Sequence, residues 1–260
     1  MAKESEPIIL FDIPSRKTTP WSFNPWKTRF ILNYKGIPHK TEWVEYPNIR
    51  GRLEGHVPPG ADEDAPYTVP TIKFPDGTYL MDSRAISVKL EELYPNPLLP
   101  GINHPSYNKV ITIMRKIVND GFLAVFLPLV PKNILSEVSQ EYWYKTRTVE
   151  HGDLSVLWKT RGGKKGMDAS TPGFQEVTKL YLENDKGPFI EGDEITYADF
   201  LWAGYLLFFK ALGEYTVEEE GEDKGKTVNV YEEFLSRSGE RGREVHEGLL
   251  KAVEKWSEVK

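Results

Sequence analysis

The chain has 260 residues, 39% of them hydrophobic and 28% charged, with 33 Lys+Arg against 39 Asp+Glu for a net charge of -6. This suits a soluble globular protein of one large or two small domains, and without a basic block beyond residues 161–165 it argues against a nucleic-acid binder, whose affinity rests on phosphate neutralisation. There are no cysteines, which excludes disulfides, thiolate metal ligands and a cysteine nucleophile.

The first hundred residues alternate short strands with helices. Residues 7–12 read as a buried strand. Over residues 25–36, Trp26, Phe30, Ile31 and Tyr34 recur at helical spacing, Pro25 suits a first turn and Gly36 a C-terminus. Residues 41–46 alternate as a half-buried strand, and a polar loop over 47–66 has room for a short helix at 50–53. Residues 71–74 and 79–81 flank Pro75-Asp76-Gly77-Thr78 as a hairpin. Asp82 and Ser83 then cap a helix through Ile86, Leu90 and Leu93. Pro95, Pro97, Pro100 and Gly101 form a linker, which divides the chain into residues 1–97 and 98–260.

The second part reads as all helical. Tyr107, Val110, Ile111, Met114, Ile117, Gly121 and Val125 trace one helix face, which Pro128 and Pro131 are expected to end or kink. Further helices are expected near residues 136–148, 174–183, 198–212, 231–235 and 245–256, and the charge run at 218–224 as a solvated loop. No apolar run approaches the ~18 residues of a spanning helix. The opening ten residues lack a basic region followed by an apolar stretch, so a cytoplasmic protein without a membrane partner is expected. Histidines 39, 56, 104, 151 and 246 show no metal-ligand spacing, and nothing points to a metal.

Three places carry chemistry. Ser22, in Trp21-Ser22-Phe23-Asn24-Pro25-Trp26-Lys27-Thr28-Arg29, stands before a helix whose N-terminal N–H groups and dipole favour an anion, although a serine there equally serves as a cap. Val69-Pro70 opens a strand after a loop; a cis bond there would turn the Val69 N–H and C=O toward an extended peptide. Asp82-Ser83 at a helix start can hold the ammonium and carboxylate of an α-amino-acid end, or simply cap the helix.

In that order, followed by a helical second half, these elements resemble the glutathione transferase superfamily. Thr196-Tyr197-Ala198-Asp199 is similar to that family's buried capping box. Within the superfamily, Ser22 to Arg29 and the stretch from Glu141 to Arg147 resemble the serine-type bacterial β-etherases and the fungal FuA class. Phe23 stands where a proline is usual after the serine, and the long 50–66 segment and the acidic loop have no counterpart in the resemblance.

The resemblance implies an α/β thioredoxin-like domain followed by a helical bundle, and a homodimer. It further implies that glutathione is the co-substrate, with its γ-glutamyl end on Asp82 and Ser83 and its cysteinyl backbone on Val69 and Pro70. Ser22 would then stabilise the thiolate as a hydrogen-bond donor, and Asn24 either assists it or holds the turn. Arg50, Arg52 and His56 are candidates for the glycyl carboxylate. An electrophile site is expected between the domains from Met114, Val118, Phe122 and Tyr142, with Trp21 or Phe23, although aromatic residues at helical spacing also fit a core. The implied activity is conjugation of aromatic or phenolic electrophiles, as in detoxification, or cleavage of lignin-type aryl ethers. A ligandin that stores hydrophobic phenolics is the alternative, and an assembly protein that keeps the fold is a third. Thiol–disulfide exchange is disfavoured, since it needs a protein thiol.

Overall fold

The computed structural model describes residues 6–184, 186–218 and 220–260. The first five residues of the opening segment and Glu219 of the acidic run lie outside the described residues. Strand β1 (Ile8–Asp12) leads into helix α1 (Phe23–Tyr34) and returns as β2 (His39–Trp43), parallel to β1 with Leu10 opposite Thr41. A 3-10 turn at Tyr46–Asn48 and the short α2 (Ile49–Leu53) precede the hairpin of β3 (Thr71–Lys73) and β4 (Tyr79–Met81), and α3 (Ser83–Leu93) follows. The sheet order is β2-β1-β3-β4, with β3 antiparallel to both of its neighbours. Helices cover β1 closely enough to leave Leu10 and Phe11 with no exposed surface, which is why that strand is an unbroken apolar run.

Asp12 ends β1 as a buried charge. Its carboxylate accepts from Arg29 Nη2 at 2.8 Å, both side chains fully buried, and Arg29 Nη1 also donates to Thr41 Oγ1 at 2.8 Å. Burial pushes the Asp12 carboxyl up to about 6, against the pull of Arg29. One guanidinium thereby ties α1 to both β1 and β2, which sets where the N-terminus of α1 points.

The rest of the chain is helical apart from one hairpin: α4 (Pro105–Ile117), α5 (Leu123–Asn133), α6 (Glu137–His151), α7 (Leu154–Arg161), α8 (Gly163–Leu182), α9 (Tyr197–Leu212), α10 (Val230–Arg237) and α11 (Gly242–Val253). Helix α9 is apolar around its whole circumference because it runs through the middle of the bundle. It packs on α1, where Phe200 stacks on Phe30 at 5.1 Å and Gly204 admits the Phe23 carbonyl. Asp199 accepts from the Thr196 N–H at 2.8 Å and the Ile190 N–H at 3.0 Å, completing the capping box at the start of α9. Among the described residues no helix is long and apolar enough to cross a membrane.

The helix expected to end or kink at its prolines passes through a π-helical turn, Val118–Phe122, into α5, which contains both Pro128 and Pro131 and ends at Asn133. Pro131 cannot bond the Leu127 carbonyl, and Trp143 Nε1 donates to that oxygen instead at 2.9 Å. The expected helix over 174–183 starts much earlier, since its glycines are contact points rather than breaks: a Cβ on Gly121 would strike the Gly166 carbonyl, and one on Gly173 would meet Ile117. Helix α7 and a hairpin, β5 (Glu214–Thr216) with β6 (Thr227–Asn229), were not expected; the acidic run is the loop of that hairpin.

Candidate active site

The site begins at the N-terminus of α1. Ser22 is the N-cap residue with extended backbone, yet its hydroxyl makes no capping bond. A capping hydroxyl bonds the N–H of the second or third helical residue, and the third here is Pro25, which has none. The Ser22 hydroxyl therefore stays available at the positive end of the helix.

Asn24, two residues on, is oriented from behind. Lys27 is only 7% exposed, its ammonium donates to Asn24 Oδ1 at 2.7 Å, and it lies 5.0 Å from the Phe23 ring centre. An ammonium can only donate, so the amide oxygen must face Lys27 and the two amide N–H donors face away. Burial brings the Lys27 ammonium down to about 8, against the opposing pull of the Asp82 charge.

The second edge is the Val69–Pro70 bond, which is cis. Val69 precedes β3, and among the described residues its N–H and C=O have no hydrogen-bond partner. Thr71 Oγ1 donates to the Thr68 carbonyl at 2.8 Å and holds this corner. The third edge is the start of α3. Asp82 is the N-cap and accepts from the Ala85 N–H at 2.9 Å, with φ at 84°, a region that non-glycine residues seldom enter. Among the described residues its other carboxylate oxygen has no hydrogen-bond partner, and Ser83 is the first helical residue rather than the cap.

These edges surround one cavity of about 500 Å³, with Ser22, Asn24, Val69, Pro70, Asp82 and Ser83 on its lining. A further part of the lining comes from Tyr46, Tyr142 and Arg147. Helix α6 stands there because Glu45 docks on its N-terminus, accepting from Ser136 Oγ at 2.8 Å and from Ser139 Oγ, while the Tyr46 N–H donates to Ser139 Oγ at 3.1 Å. Tyr46 and Tyr142 lie ring to ring, 5.9 Å apart and 11° from parallel.

The remaining expected site residues are elsewhere. Arg52 is held by Glu42 through bonds of 2.5 and 3.1 Å and lies over the Phe11 ring, and His56 stacks on Tyr79 at 4.5 Å; neither lines the cavity. Arg50 does, with its guanidinium 3.2 Å from Glu54. Of the six residues expected at the electrophile site, only Tyr142 lines this cavity. Trp21 and Phe23 pack on Phe208, Met114 is buried, Val118 packs against the core, and Phe122 is fully buried among Phe174, Tyr205 and Phe209. The wall is α6 rather than α4. Sequence reasoning missed Tyr46, the Asp64–Thr68 edge and the position of Arg147; Tyr46 and Arg147 left a signal, the one as the end of an expected strand and the other as the end of the Glu141–Arg147 stretch.

Among the described residues, a helix-start hydroxyl without a capping bond, a main-chain corner without a partner and an acid at a second helix start thus line one cavity of an α/β domain. With a helical domain closing the cavity, the architecture is the glutathione transferase fold, a thioredoxin-like α/β domain followed by a helical one. The glutathione S-transferase N-terminal domain family matches residues 21–93, and the C-terminal domain of the same family matches residues 110–234. The chain is 35% identical over 222 residues to the glutathione S-transferase-like protein ustS of Aspergillus flavus, a match covering 78% of this chain and 80% of that protein. It is also similar to a glutathione S-transferase of Ceriporiopsis subvermispora solved in complex with glutathione, at 27% identity and a TM-score of 0.75 over 98% of this chain and 99% of that one. Glutathione transferase GSTFuA3 of Phanerochaete chrysosporium gives 26% identity and a TM-score of 0.75 over 99% and 100% of the two chains. The chain belongs to the glutathione S-transferase family.

Proposed function

We propose that this protein is a serine-type glutathione transferase that joins the glutathione sulfur to aromatic electrophiles, displacing halide, or aryloxide from aryl ethers. The observation that carries the reading is the pair of uncommitted donors, the Ser22 hydroxyl and the outward amide of Asn24, facing one cavity with the open Val69 corner. A thiol has an ordinary pKa of ~8.5 and is mostly neutral near pH 7. Two donors and the N-terminus of α1 favour the thiolate, which is the attacking species. The thiol proton leaves to solvent, the sulfur–carbon bond forms, and the electron pair of the broken bond departs with the leaving group.

Glutathione would span the three edges. Its ammonium would meet the unengaged oxygen of Asp82, its γ-glutamyl carboxylate Ser83 and the first turn of α3, and its cysteinyl backbone the Val69 N–H and C=O. Arg50, which lines the cavity, would meet the remaining carboxylate in exchange for Glu54. The expected homodimer and the aromatic co-substrate belong to this same reading. Glutathione consumption measured with 1-chloro-2,4-dinitrobenzene and with a β-aryl ether tests it. Turnover of either, lost in Ser22→Ala, supports it. Glutathione binding with no turnover of any aryl halide or ether would leave a ligand-storage protein instead.

A further inference from the structure

Arg147 is a guanidinium with no anion of its own. Among the described residues no carboxylate lies within 4 Å of it, although it lines the cavity and is half-buried. It lies over the Trp143 ring, 5.0 Å from its centre, and Trp143 is buried and pinned by its bond to the Leu127 carbonyl. A guanidinium laid on an aromatic face keeps its N–H donors at its edges, directed away from the ring, which is the geometry for a two-point bond to a planar anion. Burial raises the Tyr46 hydroxyl, and the Arg147 charge acts on that hydroxyl in the opposite direction, so the cation and the tyrosine pair share one wall.

We propose that this wall is the acceptor subsite, and that it selects aromatic electrophiles bearing a carboxylate, with Tyr46 and Tyr142 taking the ring and Arg147 the anion. The inference rests on the transferase reading and narrows its substrate class. Three features favour the acceptor over glutathione as the partner of Arg147. Arg147 stands on α6 with Tyr142, in the helical part of the chain, whereas Val69 and the start of α3 belong to the α/β part, and its charge acts on the Tyr46 hydroxyl. Arg50, on α2 of the α/β part, also lines the cavity, and its partner Glu54 is an exposed side chain that a carboxylate of glutathione could replace. A neutral aromatic acceptor would also leave the Arg147 charge partly desolvated with nothing to offset it, whereas a benzoate-type acceptor supplies the counter-charge.

The test is a matched pair, 4-chloro-3,5-dinitrobenzoate and its uncharged methyl ester, with each kcat/KM divided by the uncatalysed rate with glutathione. The parent enzyme should prefer the benzoate by about tenfold, the lower end for a hydrogen bond to a charged group at a half-exposed site. Arg147→Met, which keeps the stem packed on Trp143, should abolish the preference. Arg147→Lys should restore part of it, because it returns the charge without the fork. Equal losses on both substrates, or a raised KM for glutathione with an unchanged ratio, would assign Arg147 to glutathione and overturn the proposal. If neither compound is turned over, calorimetry with 3,5-dinitrobenzoate and its amide in the presence of glutathione separates the two claims. Preferential binding of the benzoate that Arg147→Met removes upholds the subsite while the transferase reading fails; no preference overturns the subsite as well.

Discussion

Replacing Lys27 with methionine should make the protein more stable and less active at once. The lysine stem is buried, and among the described residues no carboxylate lies within ion-pair distance of its ammonium, whose hydrogen bond goes to Asn24 Oδ1. Burial lowers the group from 10.5 to about 8. At 1.36 kcal/mol per pKa unit, the folded state carries the charge at a cost of about 3 kcal/mol near pH 7. The sign follows from proton counting. Below pH 8 the lysine is charged both folded and unfolded, and the full cost is felt. Between pH 8 and 10.5 the unfolded chain holds more protons than the folded one, so stability rises with pH. Lys27→Met keeps the stem and removes the charge. Urea unfolding should therefore show the variant more stable by up to about 3 kcal/mol at pH 7, and should show the parent closing that gap by pH 10. Activity should move the other way, by about tenfold, because Asn24 loses the bond that aims its amide at the cavity. A variant that is less stable than the parent at pH 7, with the same pH dependence above pH 8, would refute the reasoning.

Ser22→Ala should lower the conjugation rate by roughly ten- to a hundredfold, through one lost hydrogen bond to a charged sulfur. It should leave the melting temperature alone, since the hydroxyl caps nothing; thermal unfolding beside steady-state kinetics checks both halves. Asp82→Gly should fold nearly as well as the parent, because glycine tolerates the positive φ and replaces a cap at a cost of only a few tenths of a kcal/mol. Its glutathione affinity by calorimetry should still fall tenfold or more, since the counter-charge for the ammonium is gone. Gly121→Ala should cost about 1–3 kcal/mol in chemical denaturation, because the added methyl meets the Gly166 backbone and cannot be relieved by a side-chain rotation.

The α/β layer was legible element by element, with boundaries shifted by two or three residues, as where the strand expected over 41–46 is β2 at His39–Trp43. The apolar run of β1, the Pro-Asp-Gly-Thr turn and the Asp82 cap each encode local backbone geometry, and local geometry depends on near neighbours in the chain. The corner at Val69, the helix start at Ser22 and the Thr196–Asp199 box could be located for the same reason. What failed was whatever depended on a distant partner. That both Pro128 and Pro131 sit inside α5 was not legible, because the donor that takes the freed carbonyl, Trp143, lies more than ten residues away in another helix. The start of α8 was not legible because its glycines face partners far off in the chain, Gly166 the backbone of Gly121 and Gly173 the Ile117 side chain. Arg52 and His56 read as ligand contacts by their place in the chain, and the sheet face turned them onto Glu42 and Tyr79 instead.

The second wall was likewise decided only in three dimensions. Met114 and Phe122 have the spacing of a substrate-facing stripe, but α9 is apolar on every side and absorbs that stripe into the core. Helix α6 takes the place at the cavity because Glu45 reaches across to Ser136 and Ser139, a contact spanning some ninety residues. The sequence determined which groups could do chemistry, through residue type and local capping rules. Packing determined which of them reach the cavity, because burial on one face of an element is settled by the element that covers it.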